Sequence, residues 1–363
     1  MKNISYLVLL FILFFFQNCM ETKNKGSEFY TVDDYKKVKK IDAHVHILTT
    51  DPSFINQSRE DNFRLLTIST DAPSIRPFEE QREIAIQHLK NFRDSSFAYT
   101  ATFSVKNWND SNWENQVINY LEDCFSKGAI AVKIWKNVGM DLRDKDGKLV
   151  MVDNPRFDTI LNFLTKKHIP LVGHFGEPKN CWEPLDKMTV NDYKHYYKAN
   201  PQYHMYLHPG ITTYEDQIIA RDHMLEKHPE LKFIGAHLAS LEWSLEELAK
   251  RFDQFPNMSA DMAERVSHFK LEAMTDWEKT RNFFIKYQDR ILYGTDIIVE
   301  DKTNPAELKK QSFDTRMDHW KFFTTDEIQR SPSIEGEYKG LKLPREVIDK
   351  IYFKNARKWY PGL

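Results

Sequence analysis

Two histidines one residue apart, His44 and His46 in "DAHVHI", stand at the end of a short apolar run. Side chains alternate along a strand, so the spacing predicts Asp42, His44 and His46 on one face and Ala43, Val45 and Ile47 on the other. Two neutral imidazoles fixed side by side can share one cation. Alone, the pattern is equally consistent with one histidine at a turn and the other in solvent, so a metal reading needs donors elsewhere in the chain.

Those donors recur at equivalent places. His174 falls late in "PLVGHFGE", His237 in "KFIGAHLAS", Asp296 ends "RILYGTD", and Lys133 interrupts "AIAVKIW". Strand-like runs cover 40–47, 63–70, 96–105, 129–135, 169–177, 231–240, 257–264 and 290–298, most of them preceded by a segment with helical spacing. Strict alternation requires a parallel sheet, and eight units predict an α/β chain closed into a single (β/α)8 TIM barrel over residues 41–363. In such a barrel the C-terminal strand ends open onto one face, where chemistry takes place. His44, His46, Lys133, His174, His237 and Asp296 then converge on one cup. The closing segment "LPREVIDKIYFKNARKWYPGL" reads as a helix packed outside the barrel.

The ordered set "DAHVHI", "VGHFGE", "GAHLAS" and "YGTDI" resembles the amidohydrolase superfamily, in particular its amidohydrolase-related branch (amidohydrolase 2), over essentially residues 41 to 360. The resemblance implies His44, His46, His174 and Asp296 as ligands of one divalent metal. Zn²⁺ suits three histidines and an aspartate, and Mn²⁺ or Fe²⁺ suit them too. It implies Asp296 as proton acceptor. His237 is then a ligand of a second metal, or a free base and carbonyl polariser. A second metal requires a carbamylated Lys133; otherwise that lysine pairs with a carboxylate or meets an anionic substrate. Asp296 also suits a helix N-cap. The implied reaction is hydrolysis of a small-molecule lactone, ester or amide, with carbohydrate derivatives among the candidates. The alternatives are decarboxylation or hydration of a small acid, and a non-catalytic glycan-binding protein.

Substrate contacts are expected from Trp135, two residues past Lys133, and from Glu177, three past His174. Arg265 follows the seventh strand and can clamp a carboxylate, or pair with Asp261 or Glu264. The connection from Gly176 to Glu230 is far longer than a normal βα loop and predicts a lid between strands five and six. In it Tyr203, His204, Tyr206, His208 and Tyr214 either meet a ligand or form the lid's own core. His88, His168, His195, His223, His228, His268 and His319 read as surface residues.

The 363 residues are 41% hydrophobic and 29% charged with net charge −2, which is globular and argues against a general affinity for nucleic acid. Residues 1–19 read as a signal peptide. Lys2 precedes the apolar run "YLVLLFILFFF", and Cys19 follows it where a lipobox cysteine would be lipidated, although Asn18 replaces the usual small residue. Residues 20–40 read as a polar tether. The expectation is an exported protein of a bacterial cell envelope, held at a membrane by an N-terminal lipid. Cys124 and Cys181 do not make a disulfide framework, and the sequence does not fix the oligomeric state.

Overall fold

The computed structural model describes residues 27–92, 94 and 96–363. The signal segment, Cys19 and the first part of the tether lie outside them. The rest of the tether is not free. Tyr35 and Val38 are buried, and Trp320 donates Nε1 to Thr31 O at 3.1 Å. The Lys40 amine lies 4.6 Å from the Tyr35 ring and 4.8 Å from the Phe63 ring, and donates to Val38 O at 2.7 Å. The packed body therefore begins before residue 41, because the apolar Tyr35 and Val38 fall at the i, i+3 spacing that puts both on one side.

Eight parallel strands carry the fold: β1 (Lys40–Ile47), β2 (Phe63–Ile68), β3 (Phe97–Thr100), β4 (Val132–Ile134), β5 (Leu171–Gly173), β6 (Phe233–Gly235), β7 (Met258–Asp261) and β8 (Ile291–Leu292). A ninth, β9 (Ile297–Val299), resumes after Asp296 and pairs with β1. They form two sheets, in orders β3-β2-β1-β9 and β4-β5-β6-β7-β8. Main-chain hydrogen bonds cross both seams. Lys133 N donates to Ala101 O at 2.7 Å, and Ala43 N to Tyr293 O at 2.9 Å. This is the α/β TIM-barrel architecture, with helices such as Trp113–Ser126, Pro155–Lys166, Leu245–Gln254 and Pro305–Thr324 packed around it.

The interior is a separate apolar cluster. Ile41, Ala43, Leu66, Ala98, Ala131, Val172, Ile234 and Leu292 meet Ala356, Trp359, Tyr360 and Leu363 from the chain end. The terminal segment thus plugs the barrel floor rather than only covering its outside. Asn355 fixes it there, donating Nδ2 to Ile291 O at 2.7 Å.

β1 departs from simple alternation. Its register against β2 shifts between Asp42 and Val45. Such a bulge turns the following side chains over. Ile41 and Ala43 face the interior, whereas Val45 and Ile47 join the outer cluster with the helices. Asp42 therefore does not share the face of His44 and His46. It meets Arg316, from an outer helix, at 2.9 Å.

Candidate metal centre

Each prospective donor sits at or just beyond a strand end. His44 and His46 close β1, and His174 follows β5. His237 lies in a left-handed turn after β6 (φ 56°), and Asp296 takes φ 64° between β8 and β9. Gly294 is required beside them, since a Cβ there would stand 2.9 Å from His44 Cβ.

The rings are oriented from behind. His44 Nδ1 faces Asp261 Oδ2 at 2.8 Å, His46 Nδ1 faces Ile68 O at 2.7 Å, and His237 Nδ1 faces Ala263 O at 3.0 Å. A carbonyl or carboxylate can only accept, so in each neutral ring Nδ1 carries the proton and Nε2 is a bare lone pair. Asp261 is itself held by His237 N at 3.0 Å and Ala263 N at 3.2 Å. The Nε2 atoms of His44 and His46 lie 3.2 and 3.0 Å from Asp296 Oδ1. The donor atoms of His44, His46 and Asp296 all fall within 4.8 Å of one another. His174 and His237 lie beside them, their rings tilted at 56° with centroids 4.4 Å apart, and the His237 ring centroid is 4.8 Å from that of His44. Among the described residues, Nε2 of His44, Nε2 of His174 and Oδ1 of Asp296 are buried with no hydrogen-bond partner. Buried acceptors that converge without a donor fit the donor set of a divalent cation.

The electrostatics agree. Burial, with Lys133 and Lys136 nearby, pushes His174 well below the usual histidine range. Burial, His174 and Arg265 do the same to His237. Burial pushes the Asp296 carboxyl up, but His44 and His46 outweigh it and hold Asp296 low. Asp261 is held low in the same way, by His44 against burial. His174 and His237 are thus neutral and Asp261 and Asp296 ionised, the protonation states that metals bind.

The amidohydrolase family profile matches residues 41–362. The chain belongs to the amidohydrolase family. No curated protein matches it in sequence. Among solved structures it resembles a 2,6-dihydroxybenzoate decarboxylase from Rhizobium, with 13% identity and TM-score 0.52 over 89% of this chain and 98% of that one. It also resembles an uncharacterised TIM-barrel protein from Bordetella bronchiseptica, with 13% identity and TM-score 0.50 over the same shares. At that identity the likeness is one of fold.

The cup of this amidohydrolase opens into a cavity of about 870 Å³ lined by His44, His46, Lys133, His174, His237 and Asp296. Lys133 is buried in its wall. Burial lowers it to about 8, with Asp261 and Asp296 opposing. Trp135 lines the cavity, and so does Glu177, whose carboxylate is paired with Lys136. Arg265 also lines it. Its Nη1 lies 3.3 Å from Glu264 Oε2, its guanidinium 5.3 Å from the Tyr193 ring centroid, and its Nε is buried without a partner.

Other expectations are corrected. His208 does not line the cavity; its Nε2 turns to Pro201 O at 3.1 Å. Tyr203, His204, Tyr206 and Tyr214 are also absent from its walls, and Tyr193, Tyr196 and Tyr197 take that place. Asp261 serves His44, not Arg265. His88, His228 and His268 are buried rather than at the surface, facing Thr49 O, Asp158 Oδ1 and Tyr193 Oη. His319 is half-buried on the cavity wall, with Nδ1 at 3.1 Å from Tyr293 Oη. His168, His195 and His223 are exposed. Asp261 is the residue that sequence reasoning missed. Its signal was the same as the others', a carboxylate at the end of the strand "NMSAD".

Proposed function

We propose that this amidohydrolase is a metal-dependent hydrolase of a small-molecule lactone, ester or amide. Its divalent metal, Zn²⁺ by expectation, is held by His44, His46, His174 and Asp296. The carrying observation is the approach of two nitrogens, Nε2 of His44 and Nε2 of His46, to Oδ1 of Asp296 at 3.2 and 3.0 Å. With Nδ1 of both histidines directed at fixed acceptors, their Nε2 atoms and the Asp296 carboxylate offer a divalent cation three donors at one point. When bound there, the metal supplies Lewis acidity that acidifies water and polarises a carbonyl.

The protein's part is positioning and proton transfer. Asp296 accepts a proton at its carboxylate and returns it to the leaving group; a base so placed contributes about 10²–10⁴-fold. The carbonyl-polarising role for His237 needs an N–H that this tautomer lacks at Nε2. A bare Nε2 serves as a base or a ligand instead. Arg265 and Lys133 offer two cations to a substrate carboxylate from opposite stretches of chain.

That pair of cations also favours a second reading, decarboxylation or hydration of a small acid, and the decarboxylase from Rhizobium shares the barrel. Product analysis in ¹⁸O-labelled water separates them: hydrolysis cleaves a C–O or C–N bond and labels the acid formed, hydration adds labelled water with no bond cleaved, and decarboxylation leaves the organic product unlabelled. Hydrolysis is the expected outcome, and it stops on chelation. Release of carbon dioxide with an unlabelled organic product, or a labelled product with no bond cleaved, would replace hydrolase by lyase.

We also propose that Cys19 is lipidated after cleavage and holds the protein at an envelope membrane. Among the described residues no helix is long and apolar enough to cross one. Cys19→Ala should move the protein out of the membrane fraction. If the variant stays membrane-bound and unprocessed, the apolar run is itself the anchor.

A further inference from the structure

Asp296 holds a left-handed backbone, φ 64°, which is uncommon for a non-glycine residue although aspartate tolerates it better than most. The groups that hold it lie beside it. Asp296 N donates to His44 O at 2.7 Å. Thr295 donates twice to one carboxylate, N to Asp42 Oδ1 at 3.0 Å and Oγ1 to Asp42 Oδ2 at 2.7 Å. Asp42 also accepts from Arg316 Nη2 at 2.9 Å, and Arg316 Nη1 donates to Ser58 Oγ at 3.0 Å. The guanidinium is seated 4.3 Å from the Phe63 ring centroid and 5.2 Å from that of Phe54. Asp42, Thr295, Arg316 and Ser58 are all buried. The bulge in β1 makes this possible, because it leaves Asp42 facing the helix layer while His44, two residues on, faces the cup.

A buried ion pair is weak evidence for stability, since well-packed apolar residues often do as well in its place. This one sits where the last strand returns to the first, directly behind a prospective metal donor. We infer that Arg316, Asp42 and Thr295 form a relay that fixes the Asp296 carboxylate against His44 and His46, which makes Arg316 a positioning residue for a centre it does not touch. The inference rests on reading His44, His46 and Asp296 as metal donors. Its logic is mechanical. Arg316 fixes the Asp42 carboxylate, Asp42 fixes the Thr295 backbone and hydroxyl, and the next residue is left one orientation for its side chain.

The test is Zn²⁺ affinity of the metal-stripped protein by chelator competition, with thermal unfolding of the same metal-free samples. Thr295→Val removes the hydroxyl and keeps the volume; Thr295→Ser keeps the hydroxyl. Loss of partners behind a ligand weakens metal binding by about 10–100-fold. Thr295→Val and Arg316→Met are expected in that range, with Thr295→Ser restoring binding to near the wild-type value. Thr295→Val is expected to unfold within a few degrees of wild type, so that its weakened binding is not a folding defect. If Arg316→Met does not fold, the threonine pair decides. A folded Thr295→Val with wild-type affinity overturns the relay. If His44→Ala also binds Zn²⁺ like the wild type, it is the metal-centre reading that has failed.

Discussion

His44, His46 and His237 each commit Nδ1 to a fixed acceptor, and this settles what the other nitrogen can do. Replacing the acceptor should therefore act through the ring. Asp261→Asn leaves an amide that can donate as well as accept, which loosens the His44 tautomer. Metal affinity should fall by about 10–100-fold, measured by chelator competition. His237→Ala should keep at least one equivalent of metal by elemental analysis while turnover falls about a hundredfold or more. If it is as metal-free as His44→Ala, His237 belongs among the primary ligands. If Lys133→Ala halves the metal content and bicarbonate raises wild-type activity, a carbamate-bridged second metal is present. The prospective donors were legible in the sequence because each breaks an apolar strand near its end. The face of Asp42 was not, because alternation cannot anticipate a bulge that depends on how β1 registers against β2.

At the scale of elements, strand positions were legible from apolar runs and their spacing, and the lid from its length. Which aromatics of the lid reach the cavity was not. Cys181, Met188, Val190, Tyr193, Tyr197 and Met205 form a small core of their own, and that packing turns Tyr193, Tyr196 and Tyr197 toward the cavity. Met205→Ala should cost about 2–5 kcal/mol locally. It should raise hydrogen exchange between residues 178 and 212 while leaving β1 to β8 protected. Uniform acceleration across the chain would show that the lid does not open as a separate unit. The chain end was read as an outer helix because its apolar positions cannot say which side of a barrel they cover. Trp359 packs in the interior cluster, so Trp359→Ala should destabilise the whole barrel by about 3–5 kcal/mol in urea unfolding.

For the whole molecule, histidines kept neutral in the native state make stability depend on pH. Burial, with Arg265 nearby, lowers His268 to about 3; burial, with Lys270 nearby, lowers His319 to about 3. Their unfolded values are near 6.5, so between these limits the unfolded chain binds more protons than the native one. The stability they contribute is complete above pH 6.5 and is lost as pH falls toward 3, by on the order of a few kcal/mol per residue. His268→Phe should flatten that slope by close to one proton in urea titrations at several pH values; an unchanged slope would show that His268 protonates in the native state. The barrel brings together on one face residues more than 250 positions apart, such as His44 and Asp296, and the account depends on what that face holds. The most direct test is the divalent-metal content of the purified protein beside that of His46→Ala. The account predicts about one tightly held equivalent in the wild type and none in the variant. Wild-type protein that retains no metal after incubation with Zn²⁺, Mn²⁺ or Fe²⁺, or a variant that retains as much, would contradict it.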